Sequence, residues 1–306
     1  MEISKSSRKK STKEKVAQIV FTFCASFTIL AVLSIMVYML MNGTPALFKV
    51  GIKEILFGTV WKPTAAEPEY GILYVILSSI VGTFMAILIG VPIGLLTAIF
   101  LAEVAPQRLS ALVKPAVELL AGIPSVIYGL LGIMVLNPIM YKIELVLFDG
   151  SQTHQFTGGA NLLSAVIVLA VMILPTVINM SETAIRAVHP SLKASSLALG
   201  ATHIQTIFHV ILPAAKSGIL SAIMLGVGRA IGEAMAITLV SGSCVNLPLP
   251  FNSVRFLTTA LVSEMGYASD LHREVLFTIG LVLFVFIMII NIVMEKMIKS
   301  GGSDYA

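Results

Sequence analysis

Residues 189–218 read HPSLKASSLALGATHIQTIFHVILPAAKSG. Most local signals in this stretch mark helix boundaries. Pro190 suits a first helical turn, where its missing N–H is no loss. "SLKASSLAL" supplies good helix formers, and Gly200 fits the left-handed position that ends a helix. Thr202, with Gln205 three residues later, makes a capping box. "HIQTIFHVIL" then places Ile204, Ile207, Phe208 and Ile211 on one face, and Pro213 closes it. The stretch is predicted to be a helix–turn–helix elbow with an apolar stripe. By pattern alone it reads equally as a connector packed against its own bundle.

The elbow lies between apolar runs. The 306-residue chain is 57% hydrophobic and 12% charged, with mean hydropathy +0.96. Soluble domains carry roughly 25% charged residues, so the chain reads as an integral membrane protein. A span needs roughly 20 apolar residues. Six runs qualify: 16–41, 72–102, 117–141, 161–179, 217–241 and 275–294. The expected fold is an all-α bundle of six transmembrane helices. Pro92, Pro124 and Pro175 fall inside these runs and read as kinks.

The flanks complete the organisation. Residues 1–15 are basic, polar and free of aromatics, as in an unstructured cytoplasmic tail beside a first membrane helix. The run that follows exceeds the about 7–15 residues of a signal-peptide core, so cleavage is not expected. Lys and Arg are more frequent in the segments that share a side with this tail, which predicts both chain ends in the cytoplasm. On the opposite side lie a long first loop, 42–70, and the segment between spans five and six. Residues around 256–262 of the latter suit a short amphipathic or re-entrant helix. Residues 71–298 form the core, with the elbow at 189–213 and a short tail at 299–306.

Several chemistries find no support. Cys24 and Cys244 lack metal-ligand spacing. His203 and His209 are six apart, a poor shared metal face. No GxxxxGK[ST] loop occurs, so ATP is not expected on this chain. No Ser–His, paired-Asp or HExxH arrangement lies within the spans, which disfavours an intramembrane hydrolase. An ion-driven carrier would carry more mid-span carboxylates or histidines than Glu233.

Two charges nevertheless sit inside span five, in "GVGRAIGEAMAITLV", residues 226–240. Arg229 lies about 12 residues into the run, roughly 18 Å along a helix. A charge at that depth costs a few kcal/mol or more on a lipid face, roughly, so it should face a cavity or a partner helix. Arg229 and Glu233 are spaced to share one helix face. Gly228 and Gly232, with Gly226 nearby, permit close helix approach. Two readings stand: an ion pair locking helices, or a lining for the path of an anion. A planar guanidinium can bind two oxygens of phosphate, with Glu233 moderating the charge.

The elbow resembles the coupling loop, or EAA loop, of permease subunits in ABC importers. Gly200, Val210, Leu212 and Pro213 stand at the family spacing. The Glu-Ala-Ala triplet falls on Ala194, Ser195 and Ser196, so its glutamate is absent. The resemblance implies that Ala194, Ser195, Ser196, Gly200, Ala201, Leu212 and Pro213 contact an ATPase subunit. Trp61, Pro63, Tyr70-Gly71-Ile72, Gly82-Thr83, Pro92 and Glu103, with "LLAGIPSVIYGLLG" and "GRAIGEAMAITLVSG", are similar to phosphate importers, and to the PstC-type subunit more than the PstA-type. A type I importer fold follows, as do a PstA-type second permease, a PstB-type ATPase dimer that holds the ATP, and a PstS-type phosphate-binding protein. The cargo implied is inorganic phosphate; molybdate or sulfate is the alternative. No cofactor is expected on this chain.

Overall fold

The computed structural model describes residues 2–302, with side chains over residues 14–298. Six helices are long and apolar enough to cross a membrane among the described residues. The first, α1 (Glu2–Lys49), is one uninterrupted helix that continues through Pro45. The expected basic tail is therefore the start of this helix, and the first loop begins near residue 50 rather than 42.

That loop folds over the end of the bundle. It holds α2 (Ile52–Phe57) and a two-stranded hairpin, β1 (Trp61–Lys62) with β2 (Glu69–Tyr70). The strands are antiparallel, with Trp61 opposite Tyr70 and Lys62 opposite Glu69. We call this the hairpin end and the opposite side the elbow end. Span two is α3 (Leu73–Ile99), extended by a π-helical turn at Phe100–Val104.

The third span departs from expectation. Residues 117–121 belong to a separate helix, α4 (Gln107–Ala121), which ends at Gly122. Pro124 is extended at ψ 138° and precedes α5 (Ser125–Leu131). A proline lacks a donor and disfavours helix in the residue before it, so Gly122-Ile123-Pro124 breaks the run instead of kinking it. The Tyr128 hydroxyl closes the corner by donating to the Leu120 carbonyl at 2.7 Å. Span three is then Ser125–Leu147, built from α5, a π-helical turn at Gly132–Leu136 and α6 (Asn137–Leu147).

Span four, α7 (Leu162–Arg186), is capped by Asn161, whose side chain accepts from Ser164 N–H at 3.0 Å. The elbow follows as α8 (Pro190–Ala198) and α9 (His203–Thr206). Pro213 does not close it. A π-helical turn at Ile207–Ile211 leads directly into α10 (Leu212–Gly232), where Pro213 occupies the first turn. Span five is followed by α11 (Met235–Val240) and, at the hairpin end, α12 (Leu257–Glu264), the short helix expected near 256–262. Span six is α13 (Asp270–Gly302), which absorbs part of the expected 299–306 tail; residues 303–306 lie outside the described residues.

α7 is the centre of the bundle. Inside lipid there is little hydrophobic drive between helices, so close packing of small residues decides which pairs associate. On α3 the buried residues Gly82, Ala86, Gly90, Gly94 and Ala98 recur every four positions. A methyl group at Gly90 would lie 2.7 Å from Ile173 of α7, and one at Gly94 would lie 2.9 Å from Val177. α10 approaches the other side of α7 through Gly218, against Ala184, and Gly226, against Val177. α1 stands outside this trio on α13. There the Thr278 hydroxyl donates to the Gly43 carbonyl at 2.7 Å, and Tyr38 meets Phe277 edge-on.

Candidate functional site: a cationic cavity and an elbow

Span five is broken where its charges lie. α10 ends at Gly232, and Glu233 turns extended at φ −73°, ψ 129°. The helix on which Arg229 and Glu233 would share a face therefore stops between them, and the expected pair does not form. The Glu233 carboxylate instead accepts the Ala236 N–H at 2.9 Å. Its main-chain carbonyl accepts the Thr258 hydroxyl from α12 at 2.7 Å. Glu233 is buried, so both contacts hold a dry joint between α10 and α11.

Arg229 points elsewhere. Its guanidinium donates to the Thr176 hydroxyl of α7 at 3.2 Å. It lines a cavity of about 510 Å³ with Thr176, Ser221, Met224, Leu225, Gly228 and Asn291. α7, α10 and α13 supply these walls. Among the described residues that line the cavity none is a carboxylate, while Thr176, Ser221 and Asn291 supply hydroxyl and amide groups.

The glycines of this segment divide. Gly226 packs on Val177, but a methyl at Gly228 or Gly232 would meet nothing within 4 Å. These two do not bring helices of this chain together as the spacing suggested. With Ser221 and Leu225 they form an exposed stripe along α10, beside Arg229. Such a stripe, with a cation next to it, suits water or a second polypeptide better than lipid.

The elbow is built as its caps predict. His189 caps α8, Gly200 takes φ +87°, and Thr202 with Gln205 completes the capping box. The Ser196 and Thr206 hydroxyls bond at 2.9 Å across the two arms. Ala194 and Ser195 are exposed; Ala201, Leu212 and Pro213 are half-buried. The expected stripe splits, because the π-turn shifts the helical register. Ile207 and Ile211 pack inward on Ala98, Ile99 and Ile185, whereas Ile204 and Phe208 face out with Leu199, which is 89% exposed. His203 and His209 bond main-chain carbonyls.

Other polar contacts were not legible. Glu182 and Arg186, one helical turn apart at the end of α7, are unequally exposed. Glu182 is 1% exposed; Arg186 donates to it at 2.7 Å and to the Leu101 carbonyl at 2.8 Å. The Oδ1 atoms of Asn137 and Asn179 are buried with no hydrogen-bond partner among the described residues. At the hairpin end, buried Glu264 gathers Trp61 Nε1 at 3.1 Å, His272 Nε2 at 2.7 Å, and Arg255. Burial pushes the neighbouring Tyr70 phenol above its ordinary pKa. Glu144, fully buried, likewise binds His154 at 2.8 Å and the Thr157 N–H at 2.9 Å. Both free cysteines, Cys24 and Cys244, are exposed.

Residues 90–299 match the family described as binding-protein-dependent transport system inner membrane component. The probable ABC transporter permease protein YqgH of Bacillus subtilis (strain 168) is 38% identical over 296 residues, 94% of this chain and 93% of that protein. The phosphate transport system permease protein PstC of Xylella fastidiosa (strain Temecula1) is 34% identical over 291 residues, 92% and 89% of the two chains. Among solved structures, a chain of a bacterial alginate ABC transporter in complex with a pentasaccharide-bound periplasmic protein superposes with TM-score 0.64 at 15% identity. It covers 92% of this chain and 94% of that one. A chain of the methionine ABC transporter MetNI gives 0.54 at 20% identity, over 82% and 97%. At such identities these two speak for the fold alone, the type I importer fold. The match over 90–299 and the long alignments with permeases place this chain in the binding-protein-dependent transport system inner membrane component family, as a multi-pass ABC transporter permease.

Proposed function

We propose that this permease moves inorganic phosphate into the cytoplasm. Arg229 carries the reading. It is a half-buried guanidinium in a cavity that Thr176, Ser221 and Asn291 line beside apolar Met224 and Leu225, with no carboxylate among the described lining residues. Such a site attracts a small oxyanion through two-pronged hydrogen bonds. Partial exposure also favours release, which a pathway needs as much as entry. The names of the PstC relatives support phosphate over other oxyanions. Glu233 supports the pathway from its edge, as the joint that fixes where α10 ends.

In this reading the elbow end is cytoplasmic, the membrane is the inner membrane, and both chain ends face the cytoplasm. The elbow offers Leu199, Ile204 and Phe208 to a groove on a PstB-type ATPase dimer. ATP is bound and hydrolysed on that partner. The exposed stripe of α10 faces a PstA-type second permease across the path. A PstS-type phosphate-binding protein docks at the hairpin end.

The test is uptake of radiolabelled phosphate by cells lacking this chain, with and without its return, in competition with unlabelled sulfate and molybdate. Restored uptake that only phosphate suppresses is expected. Phosphate uptake that is not restored, or restored uptake that molybdate or sulfate suppresses, would sink the substrate assignment.

A further inference from the structure

The elbow is fastened to a helix it does not connect. In the chain, α8 and α9 lie between α7 and α10. Two of their polar contacts run instead to the π-helical turn that ends span two. Lys193 Nζ on α8 lies 2.5 Å from Glu103 Oε2. On α9, a ring N–H of His203 donates to the Glu103 carbonyl at 3.1 Å. One residue of the Phe100–Val104 turn thus grips both arms of the elbow.

The local physics favours that grip. The last carbonyls of a helix have no intrahelical donor and take one from outside, and His203 supplies it. The Glu103 side chain is only 10% exposed, so leaving its carboxylate without a counter-charge would be costly. Beside it, Ala98 and Ile99 pack with Ile207 and Ile211, so the last turn of α3 stands against the π-turn of the elbow. α3 in turn meets α7 closely at Gly90 and Gly94, where even a methyl group would collide with Ile173 or Val177. A push on the elbow therefore has a route into the middle of the bundle besides α7 and α10.

We propose that Glu103 is a positioning residue that ties the elbow to span two, so that α3 moves with the elbow when the ATPase closes. The inference rests on the reading of the elbow as the ATPase contact. It goes beyond that reading by naming the helix that is driven and the side chain that drives it.

The test uses the full complex with its ATPase, in a chain whose Cys24 and Cys244 are replaced by serine and whose exposed Leu96, on α3, is replaced by cysteine. Thiol labelling at 96 is expected to change on adding ATP. In Glu103→Gln, and separately in Lys193→Gln, that change is expected to shrink at least about threefold, the scale on which a partly exposed ion pair shifts an equilibrium. The ATPase should still co-purify. Combining Glu103→Lys with Lys193→Glu should restore the response, while each reversal alone should not. A full ATP response in Glu103→Gln overturns the proposal, as does a swapped pair no better than the single reversals. So does loss of the ATPase from the Glu103→Gln complex, which would assign Glu103 to docking. Failure of the ATPase to co-purify with the parental chain would refute the elbow reading itself, a separable result.

Discussion

Thr258 of α12 donates its hydroxyl to the main-chain carbonyl of Glu233, 2.7 Å away, at the point where span five breaks. Both residues are buried. A carbonyl released by the end of α10 is thus satisfied by a helix at the hairpin end. Thr258→Val keeps the shape and removes the donor. A buried unsatisfied acceptor costs about 1–3 kcal/mol. We expect a lower unfolding temperature of the purified complex and slower uptake, with Thr258→Ser close to the parental chain. Equal thermal stability of the valine variant would show that the joint needs no such bond.

Arg229→Gln removes the charge from the cavity and keeps a hydrogen-bonding side chain. Phosphate uptake should fall by about tenfold or more, since a hydrogen bond to a charged group contributes about 1.5–3 kcal/mol. Complex assembly should be unchanged. Because Glu233 caps α11 instead of pairing with Arg229, the double variant Arg229→Gln/Glu233→Gln should show additive losses. Mutual rescue, measured as uptake relative to each single variant, would revive the ion pair that the sequence suggests.

Gly200→Val tests the elbow's turn. At φ +87° a β-branched residue is strained by about 1–3 kcal/mol. Less ATPase should co-purify, while the thermal stability of the membrane bundle stays level, because Gly200 lies on the exposed elbow. Gly200→Asn should be milder, since asparagine tolerates this region. Undiminished ATPase retention with valine would remove the elbow from the interface.

The two glycine environments of α10 give a paired prediction. Gly226→Leu drives a side chain into Val177, and overpacking costs about 1–3 kcal/mol; lower yield of folded monodisperse chain in detergent should report it. At Gly228 an added Cβ meets nothing of the described chain within 4 Å, so Gly228→Leu should spare folding. Its yield should match the parental one, and any defect should emerge in transport through the Arg229 cavity or in association with the second permease. Equal yields for both variants would contradict the division.

The sequence announces what is local. Pro190, Gly200 and the Thr202–Gln205 pair are each satisfied within a few residues, so the elbow's caps were readable without a fold. The six apolar runs were readable for a similar reason. Errors arose where a run continued in composition but not in backbone. Gly122-Ile123-Pro124 lies in apolar surroundings, yet it ends α4. Spacing put Arg229 and Glu233 on one face by assuming an unbroken helix. The break is held partly by Thr258, 25 residues away, which spacing cannot register. The small residues at 82, 86, 90, 94 and 98 were a visible signal of the α3–α7 contact, stronger in repeat than the pair at 228 and 232. Glu103 and Lys193 are 90 positions apart, and nothing local foretells their meeting.

Glu264 has a mechanical consequence. Its carboxylate fastens the hairpin through Trp61, the strand-like loop through Arg255 and the start of the last helix through His272. Segments more than 200 positions apart in the chain become one stiff lid. The same lid reaches inward at Leu257, bonded to the Ser79 hydroxyl, and at Thr258. Whatever tilts its outer rim must turn it about those two pins, and so must tug on the severed helix beside the guanidinium.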